Sequence, residues 1–133
     1  MIVLDEQLKD QYLIAEIAAW YPGTVTHIQA LRPNTVIKDD NIATVLFSAR
    51  TPTFVTINVN DFWQKMHPHS GYAIIAIDLA QNAVESLPNQ LRELLSHPAL
   101  RTHNLRMGKV IRVQPNQVRY YTRDRRVRFL NVD

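Results

Sequence analysis

Apolar residues occur along the chain in two patterns that alternate. Short apolar or alternating runs, which are typical of strands, lie at residues 1–4, 24–28, 54–58 and 72–78. Apolar residues at helical spacing lie between them, at residues 5–20, about 41–49 and 86–95. This alternation predicts an α/β fold with a mostly parallel sheet, right-handed crossovers and helices on both faces, which is a three-layer α/β/α architecture.

The helical spacing also predicts which residues face the core. In the first helix the recurring apolar positions are Leu8, Tyr12, Ile14, Ala15, Ala18 and Ala19, and in the second they are Ile42, Ala43, Val45, Leu46 and Ala49. In the last helix Ser86 stands at the capping position, and the apolar stripe is Leu87, Leu91, Leu94 and Leu95.

The C-terminal part of the chain is strongly basic. Residues 1–100 contain six Lys/Arg and ten Asp/Glu, whereas residues 101–133 contain nine and two. Residues 110–113 and 118–121 are predicted to be strands around a turn, and residues 127–130 a last extended segment. We therefore expect one domain, with an α/β body over 1–100 and a basic β-hairpin extension over 101–133. Such a hairpin suits either polyanion binding or simple solvation, and charge does not separate the two.

Composition excludes several classes of site. The chain has no cysteine, so disulfides, thiolate zinc sites and cysteine nucleophiles are excluded. His67 and His69 flank Pro68 and fit either a metal-ligand pair or a polar loop. No apolar run approaches the roughly 20 residues of a membrane span. The first residues lack the features of a signal peptide, so we expect a cytoplasmic protein with no membrane partner.

Aspartates follow three of the predicted strands, namely Asp5, Asp61 and Asp78, and Asp39 stands before a helix. Ligands of parallel α/β sheets bind beyond the carboxyl ends of the strands, where these side chains are expected to converge. Their mutual repulsion favours a divalent cation such as Mg²⁺ or Mn²⁺, and sites of this kind serve phosphodiester hydrolysis. The alternative is that each aspartate only caps a helix or forms a turn.

Three segments resemble the landmarks of PIN-like domains, in the family's order. They are Val3-Leu4-Asp5-Glu6, then Asp39-Asp40-Asn41-Ile42 before a helix, then Val55-Thr56-Ile57-Asn58-Val59-Asn60-Asp61-Phe62. The third is similar to PIN-domain toxins of bacterial toxin–antitoxin pairs, in which a threonine, an asparagine and an Asp-Phe pair follow the third strand. The helix carrying Ser86-Leu87-Pro88-Asn89-Gln90-Leu91 resembles a segment of one bacterial branch of PIN-like proteins. The resemblance covers about residues 1–95.

This resemblance implies a Mg²⁺- or Mn²⁺-dependent ribonuclease. It assigns Asp5, Asp39 and Asp61 as metal carboxylates and catalytic residues, with Asp5 as the hub and Asn58 steadying the site. Asp78 is a further candidate metal ligand. Membership of the site is left open for two other acids, Asp40, which can substitute for Asp39, and Glu6.

The basic C-terminal part lies outside the resemblance and mixes arginines with tyrosines. Guanidinium groups bind phosphate, and both residue types stack on bases, so the expected RNA-binding residues are Arg112, Arg119, Arg123, Arg125 and Arg126. The alternative is an exposed edge hairpin that charge protects from aggregation. Trp20 and Trp63 are expected in the core rather than against bases.

Three classes of function follow. The first is a ribonuclease that acts as the toxin of a toxin–antitoxin pair, with RNA as substrate, a small antitoxin as partner and a homodimer as an allowed assembly. The second is a catalytically inactive PIN-like module that binds RNA or protein. The third is a response-regulator receiver, which also gathers aspartates at strand ends, but a convincing lysine late in the sheet is missing.

Overall fold

The computed structural model of the protein describes residues 1–33, 37–38 and 41–131. These residues form a seven-stranded sheet in the order β2-β1-β3-β4-β5-β6-β7. The first five strands are parallel, and β6 and β7 are antiparallel to their neighbours. The strands are β1 (Ile2–Leu4), β2 (Val25–His27), β3 (Thr53–Thr56), β4 (Ala73–Ile77), β5 (Val110–Gln114), β6 (Gln117–Tyr121) and β7 (Arg128–Leu130).

Helices cover both faces of the sheet. They are α1 (Gln11–Ala18), α2 (Ile28–Leu31), α3 (Ile42–Leu46), α4 (Val59–Phe62), α5 (Leu87–Leu95) and α6 (His103–Arg106), with 3₁₀ turns at Glu6–Leu8 and Gln81–Ser86. Side chains of α1 and α5 pack on one face, and side chains of α2, α3 and α4 pack on the other. The protein is thus an α/β fold with a mostly parallel sheet, compatible with the expected three-layer architecture.

The apolar run of β4 explains why this strand lies inside the sheet. Ile74 and Ala76 face the α2–α4 layer, whereas Ile75 and Ile77 face the α1/α5 layer, and all four are at most 1% exposed. A strand that is covered on both faces has no polar side to alternate with, so its sequence is continuously apolar.

The C-terminal segment continues this sheet. β5 pairs in parallel with β4, so it belongs to the sheet of the α/β body, and β6 pairs antiparallel with β5. Because β6 runs back, its last residue, Tyr121, lies beside Val110 at the beginning of β5. The loop of residues 122–127 is therefore at the amino ends of the parallel strands, away from the end that carries Asp5.

Two crossovers of the sheet have opposite hands. The chain passes over the α1/α5 face both from β1 to β2 and from β4 to β5, but these steps go in opposite directions across the sheet. The expectation that all crossovers are right-handed is therefore wrong for one of the two, although about 98% of such connections are right-handed. The arrangement brings the leucine stripe of α5 against the apolar side of α1, where both are buried.

The helix that follows β1 begins later than the spacing predicts, and its buried stripe differs. Asp10 caps α1 by accepting a hydrogen bond from the backbone N–H of Tyr12 at 2.8 Å, so the helical phase is set there. Leu13 and Ile17 are buried, whereas Tyr12, which we expected in the core, is 57% exposed. The predicted stripes of α3 and α5 are confirmed at Ile42, Val45 and Leu46 and at Leu87, Leu91, Leu94 and Leu95.

Ser86 lies at the predicted N-cap position of α5, but the expected side-chain cap does not form. The Ser86 side chain makes no capping bond to α5, and its hydroxyl donates instead to the Ala83 carbonyl at 2.9 Å.

Within the described ranges, no helix is long and apolar enough to cross a membrane.

Candidate active site

A set of hydrogen-bonded polar side chains lies in the crevice between β1 and β3, at the carboxyl ends of the strands. The chain leaves β1 toward the α1/α5 face and leaves β3 toward the α2–α4 face. Adjacent parallel strands whose connections depart to opposite faces open a crevice between them, which is where α/β sheets bind ligands. Leu4 pairs with Val55, so the next residues on the two strands, Asp5 and Thr56, lie side by side.

Asp5 is buried and held by two hydrogen bonds. Its exposed fraction is 4%, its Oδ2 accepts from the Thr56 hydroxyl at 2.6 Å, and its Oδ1 accepts from the backbone N–H of Glu6 at 2.8 Å. The second bond caps the 3₁₀ turn that follows β1. Thr56 in turn accepts from the backbone N–H of Asn58 at 3.0 Å, which ties the end of β3 to Asp5.

Asn58 extends this group to Asp61. Asn58 precedes the short helix α4 and Asp61 lies in the first turn, so the two side chains face each other three residues apart. The Asn58 side-chain amide donates to Asp61 Oδ2 at 2.5 Å. We call Asp5, Thr56, Asn58 and Asp61 the Asp5 network.

Burial raises the pKa of Asp5 above its ordinary value of 3.8. The Thr56 hydroxyl and the Glu6 N–H act in the other direction, while the nearby carboxylates of Glu6 and Asp61 raise the pKa further. Among the described residues no lysine or arginine forms an ion pair with Asp5. An ionised Asp5 is thus a buried negative charge stabilised only by neutral donors, and a cation in the crevice would lower its cost.

The donor chemistry of the Asp5 network fits a hard divalent cation. Mg²⁺ and Mn²⁺ prefer carboxylate, amide and water oxygens, and each carboxylate oxygen of Asp5 has a second lone pair beyond the hydrogen bond that it accepts. In the part of the chain that the structure describes, no three His, Asp or Glu side chains form a metal-binding group. Asp39 and Asp40, the predicted second acid and its substitute, lie outside the described residues.

Asp78 is engaged with an arginine. It follows β4, and its Oδ2 accepts from Arg112 Nε at 3.1 Å and from Arg112 Nη2 at 3.0 Å. Both side chains are partly exposed, so the pair is accessible to solvent. Arg112 therefore supplies a positive charge next to Asp78. Among the described residues, no lysine or arginine does the same for Asp5.

Arg112 and Arg119 lie in the same row of the sheet as Asp5. Thr56 pairs with Ala76, Ala76 with Arg112, and Arg112 with Arg119. With strands about 4.8 Å apart, the Cα atoms of the two arginines are about 10 Å and about 14 Å from that of Thr56. The predicted RNA-binding residues Arg112 and Arg119 are thus on the sheet face that carries the Asp5 network.

Arg119 is held by an aromatic ring and an amide. Its guanidinium lies 5.6 Å from the centroid of the Trp63 ring, and its Nη2 donates to Gln114 Oε1 at 2.8 Å. Its Nε is buried and has no partner in the described structure. Trp63 is 8% exposed, so the expectation that it belongs to the core is confirmed.

The other three predicted RNA-binding residues, Arg123, Arg125 and Arg126, lie in the loop between β6 and β7. This loop is at the amino ends of the parallel strands, whereas the Asp5 network is at the carboxyl ends. Arg125 donates to His67 Nδ1 at 2.8 Å and lies 5.5 Å from the Tyr121 ring centroid. The five arginines therefore divide between two ends of the sheet.

His67 and His69, the two histidines that flank Pro68, both use their Nδ1 atoms for contacts within the protein. His67 Nδ1 contacts Arg125, and His69 Nδ1 accepts from the Gly71 backbone N–H at 2.9 Å. The ring of His69 also packs edge-on against Phe47. This arrangement fits the polar-loop alternative better than a paired metal site.

Sequence reasoning did not include Thr56 among the site residues. The threonine belongs to the motif that follows the third strand, but its hydroxyl becomes important only because Asp5 is its neighbour on β1.

No family model, curated protein or solved structure matches the chain.

Proposed function

We propose that the protein is a Mg²⁺- or Mn²⁺-dependent ribonuclease of PIN-like type that hydrolyses RNA phosphodiester bonds. The observation that carries this proposal is the buried Asp5 in the crevice between β1 and β3, with no cationic partner among the described residues and with Asn58 and Asp61 linked to it through Thr56. Carboxylates in such a position are suited to hold a divalent cation against a phosphate.

Each member of the Asp5 network has a role in this proposal. Asp5 and Asp61 supply carboxylate ligands, and the motif adds Asp39 as a third. Thr56 fixes one Asp5 oxygen by its hydrogen bond, and Asn58 fixes Asp61. When bound, the cation activates a water molecule and stabilises charge on the phosphate. The Thr56 and Glu6 donors keep Asp5 oriented with lone pairs available.

The RNA backbone is proposed to run along the sheet row from Thr56 toward Arg112 and Arg119. Asp78 accepts from Nε and Nη2 of Arg112, so in the described structure Nη1 of the guanidinium fork remains for a phosphate oxygen. Arg119 sits on Trp63, which limits the conformational entropy that it loses when it contacts phosphate. Asp78 then positions Arg112, and it is a less favourable metal ligand than Asp5 because an arginine already neutralises it.

The deciding experiment compares Asp5→Asn with wild type in an RNA cleavage assay with Mg²⁺ or Mn²⁺. The substitution keeps the size and one acceptor oxygen but removes the charge that holds the cation, so cleavage should fall by at least about 100-fold. Chelation with EDTA should reproduce this loss in the wild-type protein. The matched control is Glu16→Gln, which makes the same chemical change at an exposed position on α1 and should cleave normally. Cleavage that persists in purified Asp5→Asn would reject the mechanism.

A catalytically inactive PIN-like module that binds RNA or protein is the second candidate. It is favoured by the ion pair of Asp78 with Arg112, which leaves Asp5, after β1, and Asp61, in α4, as the described candidate metal carboxylates without an arginine partner. RNA binding by the wild-type protein without metal-dependent cleavage would support this module over the nuclease.

The receiver alternative is less well supported. The strand order β2-β1-β3-β4-β5 is one that doubly wound folds share, but β3 ends in Thr56 and β5 ends in Gln114, so neither strand end carries an aspartate or a lysine. A toxin role with an antitoxin partner, a homodimer and a cytoplasmic location remain predictions.

A further inference from the structure

A second candidate site lies at the opposite end of the sheet from Asp5. It is a cleft of about 600 Å³ between the end of α1, the end of α5 and the segment that enters α6. Arg106 closes its inner side, and Arg106 Nε donates to the hydroxyl of Thr53, the first residue of β3, at 3.0 Å. The cleft therefore belongs to the amino ends of the strands and shares no residue with the Asp5 network.

Arg106 is a buried cation whose described partners are all neutral. It is 2% exposed, and besides Thr53 it donates to the Leu100 carbonyl at 2.9 Å and to the Tyr21 hydroxyl at 3.4 Å. These three bonds use three of the five N–H donors of a guanidinium. In the described part of the chain no carboxylate forms an ion pair with it. Burial accordingly lowers its pKa, and an anion in the cleft would offset the cost of the buried charge.

The rest of the cleft wall has the same sign of charge. Arg92 and Arg101 line it with Arg106, and none of the described lining residues is an aspartate or glutamate. Three arginines around one cleft form a field that attracts an anion, and their planar forks match the oxygens of a phosphate.

Trp20 gives the cleft an aromatic wall and a free donor. Trp20 lines the cleft, and its indole Nε1 is buried with no hydrogen-bond acceptor in the described structure. Buried N–H groups are nearly always paired, so an unpaired one beside a cleft indicates an acceptor that the described residues do not supply. An aromatic ring beside several guanidinium groups is also the combination that stacks on nucleobases.

We infer that this cleft binds a nucleoside monophosphate group, with the phosphate held by Arg92, Arg101 and Arg106 and the base against Trp20. The volume is within the range of sites for small organic ligands. The group has two sources, a free mononucleotide or the phosphorylated 5′ end of a nucleic-acid strand. The inference rests on residues outside the proposed nuclease site and does not require cleavage.

The first arm of the test is calorimetric titration of the wild-type protein with AMP, adenosine and inorganic phosphate. AMP should bind at one site and more tightly than either fragment, because phosphate and base are held by different walls. Absence of AMP binding at about 1 mM would overturn the inference. In the second arm, tighter binding of a 5′-phosphorylated oligonucleotide than of its 5′-hydroxyl form would identify a strand end as the source, and tighter binding of AMP than of both would identify the free nucleotide.

Location is tested with exposed arginines, because Arg106 is buried and its replacement risks unfolding. The double variant Arg92→Gln/Arg101→Gln should weaken AMP binding by about tenfold or more. The control Arg123→Gln/Arg126→Gln removes the same charge from a loop that does not line the cleft and should change the affinity by less than about twofold. Equal loss in both variants would show a general charge effect and reject the site.

A fluorescence readout separates this cleft from other places on the protein. The chain has two tryptophans, so Trp63→Phe leaves Trp20 as the sole reporter. AMP should change the Trp20 emission in this variant, and the Arg92/Arg101 substitutions should abolish the change. AMP binding that leaves Trp20 emission unaltered would place the ligand elsewhere and overturn the inference. Circular dichroism checks that each variant is folded.

Discussion

At the scale of single residues, the carboxylate of Asp5 lies in the candidate active site and at the same time lowers the stability of the folded protein when it is ionised. A carboxylate that is 4% exposed, and whose partners among the described residues are neutral donors, is more expensive when ionised in the folded state than in the unfolded chain. Removal of that charge should therefore stabilise the metal-free protein.

We predict that Asp5→Asn raises Tm in EDTA relative to wild type at neutral pH. The amide oxygen still accepts from the Glu6 N–H, the amide NH2 donates to the Thr56 hydroxyl oxygen in place of the present bond, and no charge is buried. For a chain of this length each 1 kcal/mol of relieved cost corresponds to about 4 °C. Thermal denaturation followed by circular dichroism measures it. A clear fall in Tm would show that the charge of Asp5 stabilises the fold.

The pH dependence of stability follows from the same residue. Because the pKa of Asp5 is raised in the folded state, the folded protein binds a proton more tightly than the unfolded chain. In EDTA, the unfolding free energy of wild type relative to Asp5→Asn should therefore be highest below pH 3.8 and should fall as pH rises through the raised pKa. Urea denaturation at a series of pH values tests this, and a difference that rises with pH would contradict it.

Thr56 connects two elements through one hydroxyl, since it donates to Asp5 and accepts from the Asn58 N–H. Thr56→Val keeps the shape but leaves both partners unsatisfied, so it should destabilise the fold by about 1–3 kcal/mol. Thr56→Ser, the matched control, retains the hydroxyl and should recover most of the loss. Urea denaturation of the three proteins decides, and equal stability of the valine and serine variants would remove the role assigned to the hydroxyl.

At the scale of elements, the phase of α1 shows how a cap sets a buried face. Asp10 fixes the beginning of the helix, so Leu13 and Ile17 point into the sheet layer and Tyr12 points to solvent. The apolar residues of this segment are nearly continuous, and their spacing alone allowed more than one stripe.

Neighbouring residues of α1 provide a direct test. Leu13→Ala should destabilise the protein by about 2–5 kcal/mol, because it leaves a cavity between α1 and the sheet. Tyr12→Ala, one residue away on the exposed side, should cost about 0.5 kcal/mol or less. Chemical denaturation of both variants measures the difference, and similar losses would mean that the observed phase is wrong.

At the scale of the whole molecule, the sheet separates two sets of basic residues. Arg112 and Arg119 share the row of Asp5, whereas the loop of residues 122–127 lies at the amino ends of the parallel strands. The five arginines predicted to bind RNA are therefore distributed over two surfaces.

We predict that these surfaces contribute differently to RNA binding. For an oligonucleotide of a few bases, Arg112→Gln/Arg119→Gln should reduce the slope of log K against log[salt] by about 0.7 per lost phosphate contact. Arg123→Gln/Arg125→Gln/Arg126→Gln should leave that slope nearly unchanged and reduce it only for longer RNA. Salt titrations of affinity provide the measurement. A larger change of slope in the Arg123/Arg125/Arg126 variant than in the Arg112/Arg119 variant would assign RNA binding to the loop of residues 122–127. Arg112 and Arg119 would then have no role in binding.

The sequence by itself determined the elements whose cause is local. Continuous apolar residues specify β4 as a strand covered on both faces, and the leucine spacing of α5 specifies its buried side. The position of Asp5 followed from the same reasoning, because an acid directly after a buried strand must lie where the carboxyl ends of the strands meet solvent.

Only the tertiary structure decided which polar groups meet. The pairing of β1 with β3 places Thr56 beside Asp5, and the pairing of β4 with β5 gives Asp78 to Arg112. Arg106 is buried against Thr53, 53 positions earlier in the chain. Such contacts depend on strand order and register, which arise from packing across the whole sheet, so local patterns of residue type cannot specify them.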